Sequence, residues 1–253
     1  MAVGISYGGG QMVCPFHTIT HPSNPQQKPG NLCHNEANAA ALTKLISNES
    51  VQKAAGFASS KPHSFISVTT PIKNKLGAFA TWMPKLHGYY VEHLDALLQH
   101  DYKLRRNFHN SVWSSTTINF GPRTCCKQHT DFNNLPFGIC SIYGAGRYKS
   151  KEGGHLVLWE AGLVIEFPPG STILIPSAIL THSNVSVPKG STRYSVTQYT
   201  AGGLFRWVDH GFQNEESYWE SLTDEASAEE TRWMEGCATM GMGLFSTKDE
   251  LLA

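Results

Sequence analysis

The stretch GGHLVLWEAGLVIEFPPGSTILI, residues 153–175, decides how this chain folds. Gly153-Gly154 opens the apolar run His155–Glu160, Ala161-Gly162 reads as a tight hairpin turn, and Leu163–Phe167 brings the chain back. Two β-prone runs joined by a glycine-containing pair are a hairpin signature. Pro168-Pro169-Gly170 then breaks the chain before Ser171–Ile175. The same grammar continues on both sides. Upstream, Val112–Phe120 is rich in Ser and Thr and β-prone as far as Gly121-Pro122, and Gly138–Tyr143 runs to Gly144-Ala-Gly146. Downstream, Ile179–Val187 is followed by the Pro188-Lys-Gly190 turn and then Thr192–Thr200. About eight short strands with regularly spaced Gly/Pro turns predict a closed or sandwich-like β architecture. Helical periodicity lies outside it, in Asn38–Ala55, in Trp82–His100 and in Asp224–Glu235. The expectation is an α+β, mainly β chain.

Onto these strands the sequence places an ordered set of reactive side chains: His129-Thr-Asp131, His182, then Arg193-Tyr-Ser195. Two imidazoles and one carboxylate suit a non-haem Fe(II) ion, because they fill one triangular face and leave the other open for O₂ and a co-substrate. Arg193 offers a fixed fork to a carboxylate, and 2-oxoglutarate carries one at its far end. Ser195, two residues on, shares the strand face and adds a hydroxyl. A second His-x-Asp, His93-Leu-Asp95, sits inside the helical pattern of Trp82, Leu86, Tyr89/Tyr90, Leu94 and Leu97/Leu98. Residues two apart on a helix point to nearly opposite sides, so that pair is expected to be a core-edge imidazole and a solvated acid. Cys125–Asp131 lies between strand-like runs, where residues two apart share a face.

Several runs together resemble the double-stranded β-helix Fe(II)/2-oxoglutarate dioxygenases, in particular the fungal branch of the TET/JBP (thymine and 5-methylcytosine oxygenase) group. They are Asn119-Phe-Gly-Pro122, His129-Thr-Asp131, Leu135-Pro-Phe-Gly138, Gly153-Gly-His-Leu-Val-Leu-Trp159, Phe167-Pro-Pro-Gly-Ser-Thr-Ile-Leu-Ile-Pro176, His182-Ser-Asn184, Arg193-Tyr-Ser195 and Gly202-Gly-Leu-Phe-Arg-Trp207. The resemblance covers roughly residues 110–212 and, more loosely, Gly8-Gly-Gly10-Gln11 and Pro29-Gly30-Asn31. It implies a single dioxygenase domain over residues 1–253. The jelly-roll core is expected at about 111–212, an N-terminal arm with helices at 1–110, and a C-terminal helical segment at 213–253. It also implies iron held by the catalytic ligands His129, Asp131 and His182, with 2-oxoglutarate gripped by Arg193, Ser195 and Asn119. The implied reaction oxidises a methyl group on a DNA base (5-methylcytosine, thymine or N6-methyladenine), consuming O₂ and converting 2-oxoglutarate to succinate and CO₂. In relatives of the TET type, the fifth residue after the first iron His touches the base; here that residue is Asn134. Those relatives also carry a base-contacting His eight residues after the 2-oxoglutarate Arg, where this chain has Ala201. That departure leaves the choice of base open, with His210 and Gln198 as candidates for the missing contact.

Composition is compatible with this and narrows it little. At 253 residues and 40% hydrophobic, the chain can bury a core without disulfides. Twenty basic and twenty acidic residues cancel, but Gln213–Gly236 holds eight acidic side chains against Arg232, a net of −7. The rest carries 19 basic and 12 acidic residues, and Lys103, Arg105, Arg106, Arg123, Lys127, Arg147, Lys149 and Lys151 are expected near the site mouth. A local basic surface suffices for phosphate contacts on a neutral molecule; a solvated surface with an acidic helix explains the same charges. The six cysteines include the adjacent Cys125-Cys126 and suggest a reduced, intracellular protein rather than a disulfide framework. Cys14-Pro-Phe-His17, His21 and Cys33-His34 invite a zinc reading, but their spacings match no zinc pattern well, and an irregular arm across the barrel competes with it. No apolar run is long enough to span a membrane, and Met1–Gly10 lacks the parts of a signal peptide. A monomer is expected, with a nuclear location that at 27.8 kDa needs no localisation cluster. Three functions stay open at this point: a DNA-base oxygenase, a 2-oxoglutarate-dependent hydroxylase of a protein side chain or small molecule, and a non-catalytic β-barrel module. The intact ligand set argues against the third.

Overall fold

The computed structural model describes residues 2–7, 28–32 and 77–252. The helical pattern at Asn38–Ala55, the Gly8-Gly-Gly10-Gln11 run and the cluster of Cys14, His17, His21, Cys33 and His34 lie outside the described residues.

Alternating side chains in the β-prone runs produce two antiparallel sheets. The larger has the order β2 (Gly30–Leu32), β1 (Ala2–Ser6), β3 (Ser115–Asn119), β9 (Thr192–Tyr199), β4 (Cys140–Arg147), β7 (Thr172–Ile175). The smaller joins β6 (Leu163–Ile165), β5 (Leu156–Leu158) and β8 (His182–Asn184), with the hairpin read from Ala161-Gly162 connecting its first two members. Along β9, Arg193, Ser195, Thr197 and Tyr199 share one face, and Tyr194, Val196 and Gln198 share the other. Register puts Asn119 opposite Ser195, and puts Thr117 and Ile142 on either side of Thr197.

Each face has its own cover. Cys140, Ile142 and Ile175 from the large sheet pack with Leu156, Leu158 and Phe167, forming a core between the two sheets. On the opposite face lie α1 (Ala78–Trp82), α2 (Pro84–His100) and α3 (Gly202–Asp209). Phe79, Leu86, Tyr90, Trp113, Ile139 and Phe205 form one cluster there, and Ile5, Leu94, Leu97 and Leu204 form a second. Two of the polar groups caught under the helices are satisfied locally. The Trp113 indole donates to the Ile139 carbonyl at 2.7 Å, and the Ser111 hydroxyl donates to Gln198 at 2.8 Å. The described residues are therefore α+β, two antiparallel sheets with helices segregated to one side.

Some boundaries differ from the sequence reading, each for a local reason. The helical pattern read over Trp82–His100 is α2 from Pro84 onward, with Trp82 ending α1, because Pro84 cannot donate an N–H and so opens α2 at its first turn. The strand read at Val112–Phe120 shrinks to β3, since Val112 and Trp113 are spent in the helix-side core. Gly202–Asp209, read only as a motif, forms α3 with Leu204 and Phe205 buried. The C-terminal segment holds α4 (Glu215–Ser221), α5 (Asp224–Gly243) and α6 (Lys248–Leu252). Helix α5 starts where the Thr223 side chain caps Ala226 N–H, and it outruns the expected end at Glu235. Its last turn presses Gly241 against Phe137, so closely that a Cβ there would lie 2.4 Å from the ring. None of the described helices is long and apolar enough to cross a membrane.

Candidate metal centre and carboxylate pocket

Between the sheets lies a cavity of about 460 Å³. Its floor is the inward face of β9 and its neighbours, with Arg193, Ser195, Thr197 and Tyr199 in line beside Asn119, Thr117 and Ile142. Leu156, His182 and Asn184 line it from the small sheet, and the third side is the connection from β3 to β4. That connection is pinned as a strap at three points by isolated bridges, Arg123 to Arg193, His129 to His182, and Asn134 to Ala201. The middle bridge is reciprocal: His129 N–H donates to the His182 carbonyl at 3.1 Å and His182 N–H to the His129 carbonyl at 2.9 Å. Directly opposed residues in an antiparallel pair project to the same side, so the two imidazoles meet. Asp131 follows, with its N–H held by the Ser177 carbonyl at 2.9 Å.

The resulting cluster brings one donor atom each from His129, Asp131 and His182 within 4.8 Å of one another. Nε2 of His129 is 3.7 Å from Asp131 Oδ1, and Nε2 of His182 is 3.9 Å from Oδ2. Those separations are too long for hydrogen bonds. They fit inside the roughly 4.2 Å limit for two atoms that each bond one ion at about 2.1 Å. Both rings are held the same way: Nδ1 of His129 sits 2.7 Å from the Lys127 carbonyl, and Nδ1 of His182 sits 2.9 Å from the Leu180 carbonyl. A carbonyl accepts only, so each Nδ1 carries the proton and each Nε2 presents a lone pair to the cluster. The donor set and its tautomers therefore fit a divalent metal with two imidazoles and one carboxylate on a single face. His182 is buried while His129 is half exposed, which opens the cluster towards the strap side.

Arg193 is the other unusual group. It is 2% exposed, its Nε has no hydrogen-bond partner, and no described carboxylate pairs with it. Its Nη1 donates to the Thr124 carbonyl at 3.3 Å. The guanidinium also leans on the Tyr148 hydroxyl, whose pKa burial raises while Arg193 draws it back. Burying a charge without a counter-ion costs on the order of several kcal/mol. A cation kept there on neutral partners is set up for a carboxylate that arrives from outside. The rest of the expected set is near: Asn119 Nδ2 donates to Ser195 Oγ at 3.0 Å, so both polar ends line the same floor. Cys126 lines the cavity as well. Burial raises its thiol pKa, and Arg193 offsets part of that rise.

No protein-family model and no curated protein matches this chain. Solved structures do. One is NgTET1 in complex with 5mC DNA: 18% identity, 67% of this chain and 69% of that one, TM-score 0.37. Another is the collagen prolyl hydroxylase of Paramecium Bursaria Chlorella virus-1, in its 2OG complex: 12% identity, 62% of this chain and 88% of that one, TM-score 0.27.

Asn134 also lines the cavity, with its amide donating to Ser177 Oγ at 3.3 Å and its N–H to the Asp131 carbonyl at 2.8 Å. Gln198 and His210, the candidates to replace a side chain at Ala201, do not line it. Gln198 faces the helices and holds Ser111, because strand alternation turns it away from Thr197 and Tyr199. His210 is buried beyond α3, stacked on Tyr218 with ring centroids 3.8 Å apart. The basic residues expected at the mouth divide: Arg123 and Lys127 stand exposed on the strap, whereas Arg106 is tied to Asp95 and Lys149 to Glu152. Sequence reasoning missed two contributors. Tyr7 lines the cavity from just past β1, and Glu160 braces the segment that carries His182 by accepting from Thr181 N–H at 2.8 Å and from its hydroxyl. Those bonds hold the Glu160 carboxyl below the usual range. Glu160 sits on the hairpin turn recognised in the sequence, but nothing local says that the turn reaches Thr181.

Proposed function

We propose that this chain is an Fe(II)/2-oxoglutarate-dependent dioxygenase that oxidises a methyl group on a DNA nucleobase, built on a jelly-roll core over about 111–212. One observation carries the enzyme class: a single cavity holds both a two-His, one-carboxylate cluster and a buried arginine that pairs with no carboxylate among the described residues. The first suits a redox metal with open positions, the second a dicarboxylate co-substrate.

His129, Asp131 and His182 hold the metal, the two imidazoles through Nε2. Bound iron would supply O₂ activation coupled to oxidative decarboxylation of 2-oxoglutarate. Arg193 pairs with the far carboxylate of the co-substrate, and Ser195 and Asn119 add hydrogen bonds along the same floor. Thr117 and Tyr199, whose hydroxyls lie 3.1 Å apart, continue the polar stripe. Burial of Arg193 excludes water from the ion pair and strengthens it. Asn134, pinned to Ala201 and Ser177, offers an amide to the substrate edge, and an amide can pair with either a pyrimidine or a purine. Exposed Arg123 and Lys127 on the strap suit phosphate contacts. A base inside a duplex would have to leave the stack to reach this cavity.

Anaerobic loading with Fe(II) and 2-oxoglutarate, followed by turnover on methylated DNA and nucleoside mass spectrometry, tests the whole reading. Oxidised 5-methylcytosine, thymine or N6-methyladenine is the expected product. Succinate without any oxidised base would move the substrate to a protein side chain or small molecule.

A further inference from the structure

We propose that Tyr7, delivered by the N-terminal strand, is a substrate-contacting residue whose ring stacks on the nucleobase at the Asn134 end of the cavity. The proposal rests on the dioxygenase reading above and adds the surface that would select a flat ring.

The cavity has two distinct ends. Strand β9 runs from Arg193 to Tyr199, six residues or about 20 Å at an extended rise of roughly 3.4 Å each. Arg193 closes one end. At the other, the chain passes Tyr199 into Ala201 and the first turn of α3, and the strap is stitched to it there. Gly202 N–H donates to the Asn133 carbonyl at 2.9 Å, and Leu135 N–H to the Thr200 carbonyl at 3.3 Å. A five-carbon dicarboxylate anchored on Arg193 leaves this far end free for a second molecule.

Tyr7 comes to that end from another part of the sequence. Strand β1 lies antiparallel to β3, with Ala2 opposite Thr117 and Gly4 opposite Ser115, so Tyr7 passes beyond Ser115, away from Asn119 and Arg193. Its ring lies on α3 at Gly203, where an added Cβ would sit 2.3 Å from Cδ1. Trp207, one turn further along, backs it with ring centroids 5.8 Å apart. The glycine is what allows this approach, since any side chain at 203 would occupy the space of the ring. Asn134, Ala201 and Tyr7 all line the cavity, and Ala201 contributes only a methyl group. Together they combine an amide for the edge of a ring with an aromatic face for its plane. A tyrosine face is cheap to fix, with two side-chain torsions to order, and base-on-aromatic stacking tolerates any base.

Tyr7 also touches the cluster of Ile5, Ala201 and Leu204, so its test must separate contact with substrate from packing. The full chain, held anaerobically with Fe(II) and 2-oxoglutarate, is titrated with two duplexes, one carrying a single bulged 5-methylcytosine and one an abasic bulge. The readout is the ratio of the two affinities, in which general losses of folded protein cancel. The wild type should prefer the base-bearing duplex roughly tenfold. Tyr7→Leu should bring the ratio near one, and Tyr7→Phe should keep it. Gly203→Ala, which favours the helix but displaces the ring, should lose the preference as well. An undiminished ratio in Tyr7→Leu, or no preference in the wild type, overturns the proposal. The co-substrate reading is scored apart from this, by the visible absorption that Fe(II) gains on chelating a 2-oxo acid. That band with a flat ratio defeats the stacking role alone, and its absence defeats the dioxygenase reading.

Discussion

The chain contains two His-x-Asp pairs, and their surroundings give them opposite fates. His93 and Asp95 lie on α2, where a two-residue step turns the side chains apart. His93 Nε2 meets Asp209 at the end of α3, 2.8 Å away, and Asp95 meets Arg106, so each is engaged by a different partner and not merely solvated. His129 and Asp131 lie on a strap with few backbone bonds of its own, pinned to β8 and to Ser177 so that both face His182. The spacing is the same. What differs is the backbone beneath it: the helix sends its two side chains to separate partners, Asp209 and Arg106, whereas the strap turns both towards His182.

The largest expected effect tests that difference directly. Asp131→Ala and His182→Ala should each abolish succinate formation at saturating iron while the fold survives, because a three-ligand face has no spare. His93→Ala and Asp95→Ala should leave turnover near that of the wild type. Residual turnover in either strap variant, or its loss in either helical one, would break the comparison.

A second contrast is between paired and unpaired arginines. Arg106 has its carboxylate within the fold; Arg193 has none among the described residues. Arg193→Lys should raise the 2-oxoglutarate needed for half-maximal decarboxylation by roughly tenfold or more, since a point charge cannot match a carboxylate as a planar fork does. Ser195→Ala should raise it only a few-fold. Arg193→Met should lose the co-substrate yet keep or raise the melting temperature, because it removes an uncompensated buried charge. A marked fall in stability would mean that Arg193 serves the fold.

These contrasts also show what the sequence could and could not convey. The hairpin around Ala161-Gly162 and the body of α2 are local patterns, and both stand in the structure, the turn widened to take in Trp159 and Glu160. The order His129, Asp131, His182, Arg193, Ser195 was legible because each residue type carries its chemistry with it. The pairings that make the site are long-range and leave no local trace. Asn119 reaches Ser195 through strand register, Glu160 reaches Thr181 across a hairpin turn, and Tyr7 reaches the cavity because β1 pairs with β3 more than a hundred residues later. Helix α3 was hidden for a different reason. Gly202-Gly203 lowers its intrinsic propensity, and burial of Leu204 and Phe205 overrides that.

A smaller effect concerns stability alone. The His93–Asp209 contact joins α2 to α3 at a partly exposed position, so Asp209→Asn, which leaves the His93 ring packed on Tyr89 and Phe205, should cost about 1 kcal/mol or less. Denaturant unfolding reads this directly. A loss of several kcal/mol would place that pair in the core and make the helical His-x-Asp more than a surface brace.

The smallest effect concerns pH and a histidine that the cavity does not use. His210 is 6% exposed and stacks on Tyr218, with the rings 7° from parallel. Burial lowers its pKa below the ordinary 6.5, only partly opposed by Glu230 and Glu215. A histidine whose pKa is lower in the folded state binds its proton more readily when unfolded. Its contribution to stability is therefore complete above about pH 6.5 and is lost as pH falls towards the folded value. Most carboxylates titrate lower, near pH 4, so the window between about 5 and 6.5 belongs to groups of this kind. His210→Phe keeps the stack on Tyr218 and removes the titration. Melting curves across that window should fall with acid in the wild type and fall less in the variant. If the two decline in parallel, protonation of His210 is not coupled to folding.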